Sequence, residues 1–304
     1  MDSQLLAYLA DPNDGYALEL HTFEGQAQQT REGVLLNSQT GRWYPIRDGI
    51  PSLFADALRE DDAPFIARFH DAMVACGCRV EGEAANEAAA VAASGDFSRI
   101  DSERRARDEQ AEDYDRMFSL RFYQYIEAPA YRRALGDDTS APLLEAGCGT
   151  GRFTGLFAEI APAVVAVDMS RESILRNRVR HAGKTASPVH FIHADLTHLP
   201  LRDAMFGRIA HCGVYEHIPS QPMRRQFLEH ARRVLRHDGQ LLLAAYCYRG
   251  ITKLFEKEGE HAGGIPFTRF TEAELRDEVE SYFTIEKFRP SLGVYMSMLM
   301  ARPR

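Results

Sequence analysis

The stretch LLEAGCGTGRFT at residues 143–154 decides the fold, because it places a glycine-rich loop directly after an apolar strand. The strand ends at Glu145, and Gly147 and Gly149 let the backbone approach a ligand without a Cβ clash. We expect a helix to begin near Gly151, with free N–H groups and a dipole that favour an anionic group. In doubly wound sheets, ligands bind at this edge, outside the carboxyl ends of the strands.

The spacing of the loop argues against a dinucleotide ligand. The dinucleotide fingerprint is G-x-G-x-x-G, but here Arg152 stands where the third glycine would be. Arg152 would crowd a pyrophosphate, and Glu145 would repel it. A ligand with an ammonium and a carboxylate group, such as an amino acid, suits this loop better. A tight turn without a ligand is the alternative that the loop alone leaves open.

From residue 141 onward, apolar strands alternate with helical patterns. The strand candidates are PLLEA, AVVAV, VHFIH, RIAHCG and QLLLAAY, and the helix candidates between them are TGLFAEI, SRESILRNRVRHAG and RRQFLEHARRVLRH. This alternation predicts an α/β fold with a parallel sheet and helices on both faces. The tail segments YFTIEKF and VYMSMLMA predict a closing pair of strands. HAGGIPFTRFTEAEL is expected to be a mobile loop followed by a helix that Thr271 caps.

Two carboxylates follow the next two strands. Asp168 ends AVVAVD, about 20 residues after the first glycine, where an acid can accept both hydroxyls of a ribose. Capping the helix that starts near Ser170 is a compatible alternative. Asp195 follows the third strand and could accept the exocyclic amine of adenine while Leu196 packs on the ring. For Asp195 alone, a turn or cap role is the simpler alternative.

These segments resemble, in order and spacing, the motifs of class I S-adenosylmethionine-dependent methyltransferases over residues 106–304. MFGRIAHCGVYEHIP and ARRVLRHDGQLLLAA complete the set, although Gly207 follows Phe206 where the family usually has Asp. The resemblance implies a Rossmann-like sheet of seven mostly parallel strands with an antiparallel last strand. It implies S-adenosyl-L-methionine as the cofactor and S-adenosyl-L-homocysteine as its product. The cofactor-binding residues it implies are Tyr114, Glu145, Gly147, Cys148, Gly149, Thr150, Gly151, Asp168, Met169, Asp195, Leu196 and Cys212.

The resemblance also divides these residues by role. Glu145 and the 147–151 loop would hold the methionine part of the cofactor, Asp168 the ribose, and Asp195 with Leu196 the adenine edge. Met169 would flank the adenine. The segment RDEQAEDYD looks like the N-terminal stretch that covers the cofactor in such enzymes, which points to Tyr114.

The candidate catalytic residues are His217 and Tyr215. The fourth strand ends in CGVYEHIP, so residues 212–217 are expected beside the reacting methyl group. His217 is the best candidate for a base, because an unperturbed imidazole titrates near neutrality. A structural histidine that orients the loop is the alternative. Tyr215 is expected to pack against the cofactor or substrate, and Glu216 to hold the loop.

The first 55 residues predict a separate, small β-rich domain. LADPNDGYALEL and EGVLLNSQTGRWYPIRDGIPSLF resemble the Trm112-like zinc-ribbon family, whose metal-binding members carry two Cys-x-x-Cys pairs. Those positions read Asp11, Asp14, Asn37 and Thr40, which are poor zinc ligands as a set. We therefore predict a ribbon without metal, held together by Leu35, Trp43, Tyr44, Ile46, Ile50 and Leu53. Residues 56–105 are expected to form a helical or linker segment, rich in Ala and Glu, ahead of the methyltransferase domain at 106–304.

Composition limits the setting in which the protein works. Among 304 residues, 36 Lys and Arg oppose 44 Asp and Glu, a net charge of −8 that argues against broad nucleic-acid binding. No run is long and apolar enough for a membrane helix, and five cysteines without a disulfide pattern fit a cytoplasmic protein. The sequence favours a methyltransferase acting on a small-molecule substrate. An RNA methyltransferase and a non-catalytic scaffold are the alternatives, and the small domain could serve as a pocket wall or as a homodimer contact.

Overall fold

The computed structural model describes residues 1–26, 28–59, 62–80, 102, 104–109, 111, 120–137, 140–261, 264–291 and 295–304. Of the segment predicted at 56–105, residues 60, 61, 81–101 and 103 lie outside the described residues, and so does Tyr114.

The N-terminal unit is a four-stranded antiparallel sheet in which each strand pairs with the next. Its strands are β1 (Glu19–Gln26), β2 (Gln29–Asn37), β3 (Arg42–Arg47) and β4 (Ile50–Pro51). Both faces of β2 are buried. Leu35 joins the main core of the molecule, whereas Val34 and Leu36 face the helix α1 (Ala63–Ala75) and contact Phe65 and Met73 there. The residues predicted to hold this unit together are all buried: Leu35, Trp43, Tyr44, Ile46, Ile50 and Leu53.

The second sheet has seven strands and confirms the predicted architecture. In chain order they are β5 (Leu143–Ala146), β6 (Val164–Asp168), β7 (Val189–His193), β8 (Phe206–Cys212), β9 (Leu235–Tyr246), β12 (Phe283–Ser291) and β13 (Met296–Pro303). Their spatial order is β7-β6-β5-β8-β9-β13-β12. The pairs among β5 to β9 are parallel, and β13 runs antiparallel to both of its neighbours.

The central strands β5 and β6 are almost wholly buried because helices cover both faces of the sheet. After α2 (Leu120–Leu135) come α3 (Thr154–Ile160), α4 (Arg171–His181), α5 (Gln221–Val234) and α6 (Glu272–Glu280). Ser170 caps α4, since its side chain accepts from the Ser173 N–H. Thr271 caps α6, as predicted, in a reciprocal capping box with Glu274.

Two local predictions were wrong. The helix after the glycine loop begins at Thr154 and not near Gly151, because Gly149 and Gly151 have φ of +49° and +92°, which a right-handed helix does not allow. The stretch 261–275, expected to begin as a mobile loop, contains the strand β11 (Ile265–Thr268), which pairs with β10 (Glu258–His261) just before it. This hairpin packs on the segment that follows β8, so it helps to form the site.

The N-terminal unit packs against β7, one of the two edge strands of the seven-stranded sheet. Ser52, directly after β4, forms a parallel bridge with His193 at the end of β7, and the Leu53 N–H donates to the His193 carbonyl at 2.8 Å. The five cysteines are free thiols. Among the described residues, no helix is long and apolar enough to cross a membrane.

Candidate functional site

One cavity lies at the carboxyl ends of β5, β6, β7 and β8. The loops that follow these strands form its walls, and the helical residues 104–109 contribute one further side. Most of the predicted site residues therefore meet in one place. Those that line the cavity are Glu145, Gly147, Cys148, Gly149, Thr150, Asp168, Met169, Asp195, Leu196, Cys212 and His217.

The two glycines that open the loop are required for different reasons. Gly147 has a φ of +83°, and a Cβ on it would lie 2.5 Å from Cγ2 of Val214 in the loop after β8. Gly149 has a φ of +49°, but a Cβ on it would meet nothing within 4 Å. Gly147 thus permits close packing of two loops, whereas Gly149 borders open space on the cavity side.

Gly151, which was predicted to contact the cofactor, packs against α4. It does not line the cavity. A Cβ on it would lie 2.4 Å from Oδ1 of Asn177 on α4, and its carbonyl is 2.9 Å from Nε2 of His181. Its lack of a side chain lets α4 pack against the loop, a contact that the local sequence does not reveal.

Glu145 is held by a chain of hydrogen bonds behind the cavity wall. The Thr154 hydroxyl donates to Oε2 of Glu145 at 2.7 Å, and Nδ2 of Asn177 donates to the Thr154 oxygen at 2.9 Å. Burial raises the pKa of the Glu145 carboxyl to about 8. A group with this pKa gains much from a positive charge nearby, such as a ligand ammonium.

Asp168 ties the glycine loop to the end of β6. Its Oδ2 accepts from the Gly149 N–H at 2.7 Å, and its Oδ1 accepts from the Ser170 N–H at 2.9 Å. Because Ser170 caps α4, Asp168 is not the helix cap. A carboxylate offers about four lone-pair positions, so each oxygen retains capacity for a further donor. Burial raises the pKa of this carboxyl despite its two backbone donors.

Asp195 has the cap role that the sequence suggested and also lies in the cavity wall. It caps a short 3-10 helix (Leu196–His198) by accepting from the Thr197 N–H at 3.2 Å, and it also lines the cavity. Leu196 and Met169 lie on the same part of the wall, after β7 and β6. The arrangement offers an apolar slot with one carboxylate at its edge, which suits a flat heterocycle with an amino group.

His217 follows β8 and lines the cavity. Its Nδ1 lies 2.8 Å from the Pro266 carbonyl on β11, and since a carbonyl only accepts, Nδ1 carries the proton. The neutral ring therefore has its lone pair on Nε2. Burial holds the pKa of His217 well below its usual value, so the ring is neutral at physiological pH.

Tyr215 was predicted to contact the cofactor or substrate, and this was wrong. It is fully buried among Phe227 and Phe270, does not line the cavity, and donates its hydroxyl to Glu278 at 2.6 Å. Arg224 pairs with the same carboxylate at 2.8 Å. The apolar ring and the ion pair together fix α5 against α6.

Sequence reasoning missed Arg107 as a cavity residue. It lies on the helical segment 104–109, and its charge acts on Asp168, Glu216 and His217. Asp108 docks this segment on α4 by accepting from the Ser170 hydroxyl at 2.6 Å and the Glu172 N–H at 3.1 Å. The resemblance identifies the segment RDEQAEDYD as a cover for the cofactor but points to Tyr114, whereas the cavity residue seen in this segment is its first, Arg107.

Of the four positions compared with zinc ligands, Asp11, Asp14 and Asn37 meet in the N-terminal unit. Nδ2 of Asn37 donates to Asp11 at 2.8 Å and to Asp14 at 3.1 Å, and the Arg42 guanidinium donates to Asp14 at 3.0 Å. Thr40 accepts from the Arg42 N–H at 3.2 Å. No group of three or more His, Cys, Asp or Glu side chains in the described ranges could hold a metal ion.

The order and directions of the seven strands, with β13 antiparallel to both neighbours, and the cavity at their carboxyl ends agree with the fold expected of a class I methyltransferase domain. Residues 144–243 match the family model described as a methyltransferase domain. The chain therefore contains an S-adenosylmethionine-dependent methyltransferase domain, whose cofactor is S-adenosylmethionine.

Two similar proteins are described as methyltransferases. A probable S-adenosylmethionine-dependent methyltransferase of Mycobacterium tuberculosis is 33% identical over 114 residues, which is 38% of this chain and 39% of the relative. A putative methyltransferase of Encephalitozoon cuniculi is 28% identical over 141 residues, or 46% of this chain and 61% of that protein. The chain thus spans only about two-fifths of the length of the Mycobacterium relative that it matches.

Two solved structures share the fold. The PH0226 protein from Pyrococcus horikoshii is similar with a TM-score of 0.53 and 21% identity, covering 63% of this chain and 99% of that one. DhpI in its complex with SAH gives a TM-score of 0.54 and 20% identity, covering 67% of this chain and 96% of that one.

Proposed function

We propose that the protein transfers a methyl group from S-adenosylmethionine to an oxygen, nitrogen or other nucleophile of a small molecule. The observation that carries the proposal is the meeting of three carboxylates with a neutral imidazole in one cavity. Glu145, Asp168 and Asp195 stand at the ends of three adjacent parallel strands, and His217 follows the fourth.

The residues present fit the cofactor. The open space beside Gly149 is where a bound group can approach the loop backbone. Glu145 would neutralise the methionine ammonium, and Asp168 would accept the ribose hydroxyls with the lone pairs that its backbone donors leave. Asp195 would accept the adenine amine, with Met169 and Leu196 against the ring. Cys148, Thr150 and Cys212 would complete the wall by shape, since burial raises the pKa of both thiols and keeps them neutral.

His217 would act as the base. The bound cofactor supplies an electrophilic methyl group on a sulfonium whose leaving group is neutral, so the protein mainly aligns the acceptor and excludes water. Nε2 of His217 would take the acceptor proton, while the Pro266 carbonyl holds the ring orientation through Nδ1. A base of this kind contributes about 10²–10⁴-fold.

The surroundings of His217 favour a small, partly aromatic acceptor. Its ring centroid lies 5.8 Å from that of Tyr246 and 5.5 Å from that of His261. Phe267 packs against His261 at 4.6 Å, and the Arg269 guanidinium lies 4.5 Å from the Phe267 ring. The net charge of −8 disfavours RNA as the acceptor.

The N-terminal unit fits a Trm112-like ribbon that has exchanged its metal for hydrogen bonds. The Arg42 guanidinium and the Asn37 amide supply positive charge and donors to Asp11 and Asp14, as a cation would. A cytoplasmic location and a homodimer are further parts of this proposal, the second to be tested by light scattering of the purified chain.

The acceptor class can be tested with methyl-labelled S-adenosylmethionine and extracts of the producing organism, separated into small molecules, RNA and protein. We expect label in the small-molecule fraction and its loss in the Asp168→Asn variant. Label in RNA alone, with binding that falls steeply as salt rises, would replace the proposal by an RNA methyltransferase. Cofactor binding with label in no fraction would indicate a non-catalytic protein.

A further inference from the structure

His193 joins the N-terminal unit to the cofactor cavity. It ends β7, the outer strand of the sheet, and its side chain is fully buried. Its Nε2 lies 3.0 Å from the Met169 carbonyl, and its Nδ1 lies 3.0 Å from the Ser52 hydroxyl. Phe54 meets the ring edge-on with centroids 4.7 Å apart. The imidazole thus stands between two residues of the small unit and one residue of the cavity wall.

The direction of both hydrogen bonds follows from the chemistry of the partners. A carbonyl only accepts, so Nε2 carries the proton and donates to Met169. Nδ1 is then the acceptor, and the Ser52 hydroxyl donates to it. Burial lowers the pKa of His193 to about 3, so this tautomer of the neutral ring persists at physiological pH. Without Ser52, the Nδ1 lone pair would have to be buried without that donor.

Met169 directly follows Asp168, and both line the cavity. A backbone hydrogen bond also joins the ends of β6 and β7, since the Ala194 N–H donates to the Asp168 carbonyl at 3.0 Å. His193 therefore sets the separation between the loop after β6 and the loop after β7, which carries Asp195. These two loops form the adenosine half of the proposed site.

A second contact runs from the small unit to the same half of the cavity. The Arg104 guanidinium lies 5.6 Å from the centre of the Phe54 ring. Arg104 shares a helical segment with Arg107, which lines the cavity, and with Asp108, which binds the Ser170 hydroxyl after β6. Two independent contacts thus connect residues 52–54 to the walls around the adenosine.

We propose that the N-terminal unit is a working part of the cofactor site, in which Ser52 and His193 are positioning residues for the adenosine half of S-adenosylmethionine. The inference rests on the proposed function only in requiring that this cofactor binds. It differs from the role of pocket wall that the sequence suggested for the unit, since none of the described residues in 1–55 lines the cavity.

The test compares Ser52→Ala and Ser52→Thr by calorimetric titration with S-adenosylhomocysteine and with adenosine. Ser52→Ala leaves Nδ1 without its donor, so we expect both ligands to bind about five- to tenfold more weakly. Equal losses for the two ligands would place the effect in the adenosine half. Ser52→Thr keeps a hydroxyl and should restore affinity to within about twofold of the wild type, by the same hydrogen-bond argument.

Ser187→Ala is the matched control. Its hydroxyl donates to the Ala158 carbonyl at 2.8 Å, just before β7 and at the opposite end of that strand. It should lower the melting temperature without changing affinity for either ligand. If Ser52→Ala does not fold, Ser52→Cys, with its weaker donor, should bind more weakly than Ser52→Thr.

An affinity for S-adenosylhomocysteine within twofold of wild type in Ser52→Ala, or in Ser52→Cys where that variant takes its place, would overturn the proposal and leave the proposed function intact. Failure of the folded wild type to bind S-adenosylhomocysteine would instead contradict the proposed function, and this inference with it.

Discussion

At the scale of single residues, His217 is prepared for one direction of proton transfer. The Pro266 carbonyl occupies Nδ1, so only Nε2 can act toward the cavity. Burial lowers its pKa, which means that the ring is already neutral when a proton must be accepted. A neutral ring whose Nδ1 is engaged accepts a proton at Nε2, and its lowered pKa makes it a weaker base than a free imidazole.

Replacing His217 by Asn should reduce methyl transfer by about 10²–10⁴-fold, because the acceptor loses its base. Affinity for S-adenosylhomocysteine should stay close to that of the wild type. Because the folded pKa is low, the wild-type rate should be flat around neutral pH and fall only on acidification. Full turnover by the Asn variant would show that His217 is structural.

Asp168 allows a separate test of cofactor binding. Asp168→Asn removes the charge that would receive the ribose hydroxyls, so S-adenosylhomocysteine should bind about tenfold or more weakly, in keeping with hydrogen bonds to charged groups. Asp203→Asn is the control, since Asp203 is exposed and pairs with Arg233 away from the cavity lining. Equal affinity of the two variants would remove Asp168 from the cofactor site.

Glu145 links the site to stability through its pKa of about 8, raised above the ordinary carboxyl value in the unfolded chain. Between the two values the folded state holds a proton that the unfolded state has lost. Stability from this group is therefore present at low pH and is lost as pH rises toward the folded pKa. Glu145→Gln should lose less stability than the wild type between pH 5 and pH 8, as measured by denaturant unfolding. If the free energy of unfolding changed with pH equally in the two proteins, this would be contradicted.

At the scale of elements, two glycines of one loop have different roles: Gly147 allows close packing and Gly149 borders the cavity. Gly147→Ala should cost about 2 kcal/mol or more of folding free energy, because the Cβ meets Val214 and the φ is positive. Gly149→Ala should cost about 1–2 kcal/mol, since only the backbone conformation is strained. We expect Gly149→Ala to weaken S-adenosylhomocysteine binding more than its smaller stability loss suggests. If Gly147→Ala weakened S-adenosylhomocysteine binding more than Gly149→Ala did, this assignment would be contradicted.

The elements that local patterns define were predictable, and those that depend on distant partners were not. The strand β5, the glycine loop that follows it and the acids at the strand ends could be predicted from short-range rules of the α/β fold. Tyr215 lies within the predicted catalytic stretch, but its role depends on Glu278, which is 63 residues away. In the same way, Gly151 serves α4, and Arg107 reaches the cavity only because Asp108 docks on Ser170.

At the scale of the whole molecule, the small N-terminal sheet and the seven-stranded sheet share one core. Leu35, Tyr44 and Leu53 of the small unit belong to the same buried cluster as Leu144, Val165 and other residues of the central strands. Such a shared core predicts cooperative unfolding of the two units as one.

The polar cluster of the small unit should be essential to that cooperativity. Arg42 contacts Asp14 at 3.0 Å and Asp56 at 3.1 Å, so Arg42→Leu would leave acids without their cation. We expect a lower melting temperature, and well below one zinc per chain in wild type purified without added metal. An unchanged melting temperature, or zinc near one per chain, would contradict this description of the unit.

The central claim is that one cavity, formed by a glycine loop and acids at strand ends, binds the adenosyl sulfonium. Calorimetric titration of the folded wild-type chain with S-adenosylmethionine tests it most directly. We predict saturable binding of one molecule per chain. A well-folded sample that binds none of this compound, by heat or by competition with S-adenosylhomocysteine, would contradict it.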